Sequence, residues 1–235
     1  MEKITEIATL SLMLTSYALG LVHGLDSDHV IDVTDFVSQD PRPSQAVLFG
    51  SKFGFGHTFT VLVAGLLTFT LKTALPEHFE QAFTLFSGIL LMLLGIWGIH
   101  RRIIRPIRQR HQHISVPEMT RLDKRVFRWG PLFTGFMTGL VGTAGVMLFG
   151  PVAAAPNIYS VGMFISIYGF GVISSMSFYA LIAGKCFSSL FNRPRGEKLV
   201  KLVSFVPSFL SIGLGTIWVV RFVEGVLTVK KLMHG

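Results

Sequence analysis

The sequence of 235 residues contains one cysteine, Cys186. A single cysteine excludes an intramolecular disulfide, a two-cysteine redox motif and a thiolate metal site, so a site for a soft metal would need histidine, methionine or carboxylates. Charge is also scarce, because charged residues make up 14% of the chain, against about 25% in soluble proteins. A water-soluble core is therefore disfavoured.

What the chain has in abundance is apolar and small residues. Half of it is hydrophobic, its mean hydropathy is +0.58, and it contains 21 Phe and 24 Gly. This composition is typical of a polytopic membrane protein, in which glycine lets helices approach closely. The net charge of +8 comes from basic residues between the apolar runs rather than on one exposed face, so no nucleic-acid partner is predicted.

The apolar runs predict the number of membrane spans. A spanning helix needs about 20 mostly apolar residues. Six segments meet this criterion: 7–31, 46–71, 82–100, 131–155, 158–183 and 203–227. The sequence therefore predicts an all-α, polytopic integral membrane protein with about six transmembrane helices in a lipid bilayer.

The distribution of Lys and Arg predicts the orientation of these spans, because cytoplasmic loops retain positive charge. The loop 101–128 holds nine basic residues, and with six spans it lies on the same side as Arg42 and the five basic residues of 185–201. Four basic residues lie on the other side. The prediction is a multi-pass protein of the cytoplasmic (inner) membrane with both termini extracytoplasmic.

The two halves of the chain resemble each other. Gly-Leu-Val at 20–22 matches 139–141, and Phe-Gly-Phe-Gly at 53–56 matches Tyr-Gly-Phe-Gly at 168–171. Three spans in each half predict two inverted repeats. Residues 1–235 would form one transmembrane domain, with halves 1–100 and 129–235 joined by the basic loop 101–128. The polar residues of the first half have no counterparts in the second, and His57 corresponds to Val172.

Five of the 13 acidic residues lie between positions 26 and 40, at the end of the first apolar run. Ionisable groups at membrane depth are costly and indicate function. On a continuous helix His23, Asp26 and His29 fall within an arc of about 120° and can face one point. Asp28 lies about 140° from His23 and reaches that point only if the backbone is irregular, for which Gly24 gives an opportunity. Which of the two aspartates is a direct ligand stays open.

A further imidazole from another helix would complete a metal site. His57 follows small residues that permit close helix approach. Imidazoles with one or two carboxylates suit Ni(II), Co(II), Cu(II) or Zn(II). The predicted metal ligands are His23, Asp26, Asp28, His29 and His57. No catalytic residue and no prosthetic group are predicted.

These motifs resemble those of the nickel/cobalt transporter family. Residues 23–29 read His-Gly-Leu-Asp-Ser-Asp-His and fit that family's H-x4-D-H signature, while 53–58 read Phe-Gly-Phe-Gly-His-Thr, similar to its second motif, F-S-L-G-H-S. The chain looks most like the shorter, urease-accessory-type transmembrane members. The resemblance implies a permease with an intramembrane metal site. The family's later acidic motifs have no carboxylate counterparts here.

The sequence therefore predicts a secondary transporter of divalent metal ions, nickel first and cobalt second, rather than an enzyme. Nothing in it resembles a G-x4-G-K-[S/T] nucleotide site, so direct ATP-driven pumping is not expected. One alternative is a non-transporting accessory protein with a cytoplasmic metal-delivery partner at loop 101–128. A membrane metalloenzyme is the other alternative.

Overall fold

The computed structural model of the protein describes residues 2–71, 77–104, 121–139, 155–191 and 197–234. Within these ranges the chain forms seven helices and no strand. They are α1 (Glu2–His23), α2 (Ser27–Gln39), α3 (Pro43–Leu71), α4 (Glu77–Ile104), α5 (Arg121–Thr138), α6 (Ile158–Phe191) and α7 (Glu197–His234). The predicted all-α class is confirmed.

Several of these helices have the length and composition of membrane spans. Stretches long and apolar enough to cross a membrane lie in α3 (Pro43–Leu71), α6 (Ile158–Leu190) and α7 (Phe205–Gly225), and shorter apolar stretches lie in α1 (Leu10–His23) and α4 (Thr84–His100). Large apolar side chains face outward, for example Phe55, Phe170 and Phe209, each about 60% exposed. Such a surface fits lipid, as predicted for a polytopic membrane protein. Most of the fourth predicted segment, 140–154, lies outside the described residues.

The first predicted segment is not one helix, which corrects the expectation for 7–31. Helix α1 ends at His23, and α2 begins at Ser27 after a turn. A Cβ at Gly24 would lie 2.1 Å from the hydroxyl of Ser175 and 3.2 Å from the Cα of Val172. Glycine at this position therefore lets the turn lie directly against α6.

Small residues let four helices pack closely in two similar pairs. Helix α1 packs on α6 where Gly20 meets the carbonyl of Tyr168, and α5 packs on α3 where Gly135 meets the carbonyl of Phe53. Gly135 follows Gly20 by 115 residues, and Tyr168 follows Phe53 by the same interval. The contacts of Gly171 with α1 and of Gly56 with α5 repeat this relation. The helix contacts thus follow a shift of 115 residues and not the shift of 119 suggested by the Gly-Leu-Val match.

Helix α2 lies inside the bundle. Eight of its 13 residues are buried, and it contacts α3, α4, α5, α6 and α7. Thr34 and Tyr179 share a hydrogen bond of 2.5 Å that ties α2 to α6. Just after α2 ends, Arg42 donates two hydrogen bonds of 2.7 and 2.8 Å to the Asp40 carboxylate, and these raise the pKa of the guanidinium. Helix α2 is thus tied to α6 through its middle, and its first turn is tied to the end of α1 by a hydrogen bond between the His29 ring and the carbonyl of His23.

Candidate metal centre

Three histidines from three helices meet in the interior. His23 is the last residue of α1, His29 lies in the first turns of α2, and His57 lies in the middle of α3. Their ring centroids are 4.6 to 5.1 Å apart, and all three side chains are buried. Each ring offers a nitrogen within 4.8 Å of the other two, so the three could hold one metal ion.

His23 is held between a carboxylate and a second imidazole. Its Nδ1 lies 2.9 Å from Oδ2 of Asp26, and its Nε2 lies 3.1 Å from Nε2 of His57. In the tautomer that protonates Nδ1, His23 donates to Asp26 and turns an unprotonated Nε2 toward His57. A histidine that ligates a metal commonly donates its other N–H to a carboxylate or a carbonyl in this way.

His29 has the same division of roles. Its Nδ1 donates to the backbone carbonyl of His23 over 3.1 Å. Its Nε2 is buried and accepts no hydrogen bond from the described residues, and Oδ2 of Asp28 lies 3.7 Å away. That distance is too long for a hydrogen bond, but a metal ion between the two atoms would join them.

Asp26 begins α2 without capping it. It occupies the N-cap position, where a carboxylate usually accepts a hydrogen bond from the helix backbone, yet its side chain makes no such bond. The carboxylate contacts His23 instead. The Asp26 carboxylate therefore orients the His23 ring instead of capping α2.

The spacing of the nitrogens suits a transition metal. At metal–nitrogen distances of about 2.0–2.1 Å, two neighbouring nitrogens on one ion lie roughly 2.8 to 3.4 Å apart, the lower value in octahedral and the higher in tetrahedral geometry. The 3.1 Å between the Nε2 atoms of His23 and His57 lies within this range. The structure thus brings together all five predicted ligands: the three imidazoles form the cluster, and Asp26 and Asp28 flank it.

Sequence reasoning gave no role to two buried aspartates further along α2. Both side chains, Asp32 and Asp35, are inaccessible to solvent. Asp35 accepts a hydrogen bond of 2.5 Å from Ser208 of α7, whereas neither carboxylate oxygen of Asp32 has a hydrogen-bond partner among the described residues. The five acidic residues at 26–40 were the available signal in the sequence. Their burial was not apparent from the sequence because it depends on how α2 packs inside the bundle, for Asp35 on the contact with Ser208 of α7.

A second missed residue is Tyr168 of α6. Its ring stacks on that of His23 with the centroids 5.7 Å apart. The sequence pairs Tyr168 with Phe53 as an aromatic residue of a glycine-rich motif, which gives no reason to expect it beside the histidines. The second half of the chain thus supplies a polar group to a cluster expected to belong to the first half alone.

Fold and site together define a helical membrane protein with a buried three-histidine cluster that could hold a metal ion. The urease accessory protein UreH of Bacillus sp. (strain TB-90) is 22% identical to this chain over 214 residues, which cover 88% of this chain and 91% of that protein. No family model and no solved structure matches the chain.

Two plant proteins are also similar. The chloroplast proteins FOR GROWTH AND FERTILITY 2 and 1 of Arabidopsis thaliana are each 25% identical to it, over 205 and 211 residues. The chain spans 54% and 56% of their lengths. The similarity therefore extends over most of this chain and about half of each plant protein.

Proposed function

We propose that this protein is a secondary transporter that carries a divalent transition-metal ion, nickel or cobalt, across the cytoplasmic membrane. The observation that carries the proposal is the convergence of His23, His29 and His57 in the interior of a helical membrane protein. Neutral imidazoles with carboxylates suit these ions, and ionisable groups at such depth commonly line ion pathways. Nickel and cobalt are favoured by the motifs at 23–29 and 53–58, which resemble those of nickel/cobalt transporters, and the bacterial relative is named a urease accessory protein.

We propose that the three imidazoles and Asp28 bind the ion directly, while Asp26 orients His23. The ion is cargo in this scheme, bound at one site and released to the other side. The two helix pairs related by a shift of 115 residues support inverted halves, 1–100 and 129–235, that move against each other around the site.

Flux measurements test the proposal. Purified protein in proteoliposomes should carry Ni(II) and Co(II), and the double variant His23→Ala/His29→Ala should abolish flux because two of three imidazole ligands are removed. His100→Ala is the matched control, since it removes an exposed imidazole at the end of α4. Folded wild-type protein that carries neither ion would contradict transport of these metals.

The pH dependence is a second test. A proton and the metal compete for the same imidazole nitrogen, whose ordinary pKa is about 6.5. We expect metal affinity to be highest above that pH and to fall as the medium becomes more acidic. Equilibrium Ni(II) binding, followed from pH 8 down to the pH at which the protein unfolds, measures this, and an affinity that stays constant over that whole range would contradict histidine ligands.

The relative's name also favours a second candidate, an accessory protein that passes metal to a cytoplasmic partner at loop 101–128. Most of this loop lies outside the described residues. Shortening the loop separates the two functions: a transporter keeps its flux in vesicles, whereas an accessory protein keeps bound metal but no longer delivers it. A membrane metalloenzyme would need a substrate group at the cluster, for which we see no supporting observation in the described residues.

A further inference from the structure

Tyr168 of the second half of the chain brings an aromatic ring that carries a hydroxyl group to the histidine cluster. The residue is fully buried, and its ring lies over His23 with an interplanar angle of 29°. The phenolic oxygen is buried and has no hydrogen-bond partner among the described residues. A buried hydroxyl without a partner is unfavourable, so its presence calls for an explanation.

Packing alone does not explain the hydroxyl. The α3–α5 pair corresponds to the α6–α1 pair, and in it Phe53 takes the place of Tyr168. The carbonyl of Phe53 contacts Gly135 in the same way as the carbonyl of Tyr168 contacts Gly20. Phe53 is equally buried, and its ring contacts His29. A phenylalanine therefore satisfies this kind of helix contact, and the additional oxygen of Tyr168 points to a binding partner.

A bound metal would supply that partner. Three imidazoles and one carboxylate leave positions open on an ion that takes five or six ligands, and water or hydroxide fills such positions. A tyrosine hydroxyl is protonated at neutral pH and can donate a hydrogen bond. The Tyr168 ring stacks on His23, the residue whose Nε2 faces His57 in the cluster.

We propose that Tyr168 is a positioning residue of the metal site, which donates a hydrogen bond to the water or hydroxide bound to the ion. This inference rests on the proposed function, because it requires metal at the histidine cluster. It gives α6, in the second half, a direct means of responding to the ion held by α1, α2 and α3.

The test compares two variants that each remove one hydroxyl. Tyr168→Phe removes the hydroxyl and keeps the ring that stacks on His23. Tyr17→Phe is the control, because it removes the hydroxyl of a tyrosine in α1 whose ring contacts Phe170 and not the histidines. Binding of Ni(II) and Co(II) to purified full-length protein is measured by calorimetry, together with the visible spectrum of bound Co(II). Tyr168→Phe should weaken binding by about tenfold or more, as expected for loss of an outer-shell partner, while Tyr17→Phe should match the wild type.

The pH titration of the Co(II) spectrum adds a readout that a packing role would not change. A hydrogen bond to bound hydroxide stabilises the deprotonated form, so Tyr168→Phe should move the transition of the bound water to higher pH. Wild-type affinity and an unchanged transition in Tyr168→Phe would overturn the inference and leave the metal site intact. Absence of metal binding by the folded wild-type protein would instead overturn the proposed function, and the inference with it.

Discussion

At the scale of single residues, the two nitrogens of each imidazole have different surroundings. In His23 and His29, Nδ1 is occupied by an acceptor from the chain, Asp26 or a backbone carbonyl. The Nε2 atoms face the interior of the cluster, where His57 and Asp28 lie. This arrangement fixes the tautomers that make Nε2 available to a metal.

The two aspartates should therefore differ when replaced. Asp26→Ala removes the group that orients His23, and we expect metal affinity to fall by about 10- to 100-fold with the ligand set unchanged. Asp28→Ala removes a proposed ligand, and we expect X-ray absorption of the nickel complex to show one oxygen fewer. Because the Asp26 side chain does not cap α2, loss of a helix cap does not complicate the comparison. An oxygen ligand lost in Asp26→Ala and kept in Asp28→Ala would reverse these roles.

Sequence spacing was sufficient to select the candidate ligands but not to assign their geometry. The residue types and their proximity along the chain were enough to select five candidates for metal binding: His23, Asp26, Asp28, His29 and His57. The turn at Gly24 could not be predicted from the sequence, because it depends on the contact with Ser175 and Val172, about 150 residues away. Tyr168 was missed for the same reason, since an aromatic residue in a helix does not reveal which histidine it stacks upon.

At the scale of helices, a hydrogen bond between Ser208 and Asp35 joins α7 to α2. Ser208 donates a hydrogen bond to the buried Asp35 side chain, and leaving a buried acceptor without its hydrogen bond costs about 1–3 kcal/mol. We expect Ser208→Ala to lower the free energy of unfolding by that amount. Ser211→Ala is the matched control on the same helix, because the Ser211 hydroxyl is buried without a hydrogen-bond partner in the described part of the chain. Equal losses from both variants, measured by denaturation in detergent, would contradict this role for Ser208.

The glycine contacts give a second prediction at this scale. A Cβ at Gly20 would lie 2.0 Å from the backbone oxygen of Tyr168, and backbone cannot move aside cheaply. We expect Gly20→Ala to destabilise the protein by about 1–3 kcal/mol and to weaken metal binding, because α1 carries His23.

Gly162 of α6 is the control for that variant, since a Cβ there meets nothing within 4 Å. Gly162→Ala should leave the protein as stable as the wild type or up to about 1 kcal/mol more stable, because alanine favours helix. Thermal unfolding followed by circular dichroism compares the two. A Gly20→Ala variant as stable as Gly162→Ala would mean that α1 and α6 are not in close contact.

At the scale of the whole molecule, the positions of the loops test the proposed orientation. In a Cys186→Ser background, a single cysteine replaces either Thr73, which lies between the end of α3 and the start of α4 in the sequence, or His113, which lies within 101–128. A membrane-impermeant maleimide added to intact cells should label Thr73→Cys and not His113→Cys. Labelling of His113→Cys alone would place both termini in the cytoplasm.

The class of fold could be predicted from composition, because hydrophobic runs of about 20 residues reflect the thickness of the bilayer. The boundaries of α3, α6 and α7 follow from those runs to within several residues. The buried position of α2 could not be predicted, because its mixture of acidic and apolar residues is also typical of a segment at the membrane surface. Its burial follows from contacts with other helices, among them α7. Long-range packing therefore decides what the local pattern leaves open.

The exchange of partners between the halves, α1 with α6 and α5 with α3, has a consequence for biosynthesis. His23 leaves the ribosome 145 residues before Tyr168, the ring on which it stacks. At about 5–20 residues per second, α1 waits roughly 7 to 30 s for α6 to be made. During that interval the end of α1 that carries His23 has no α6 to pack against. The early helices must therefore insert with His23 in contact with the translocon or with lipid until the second half is translated.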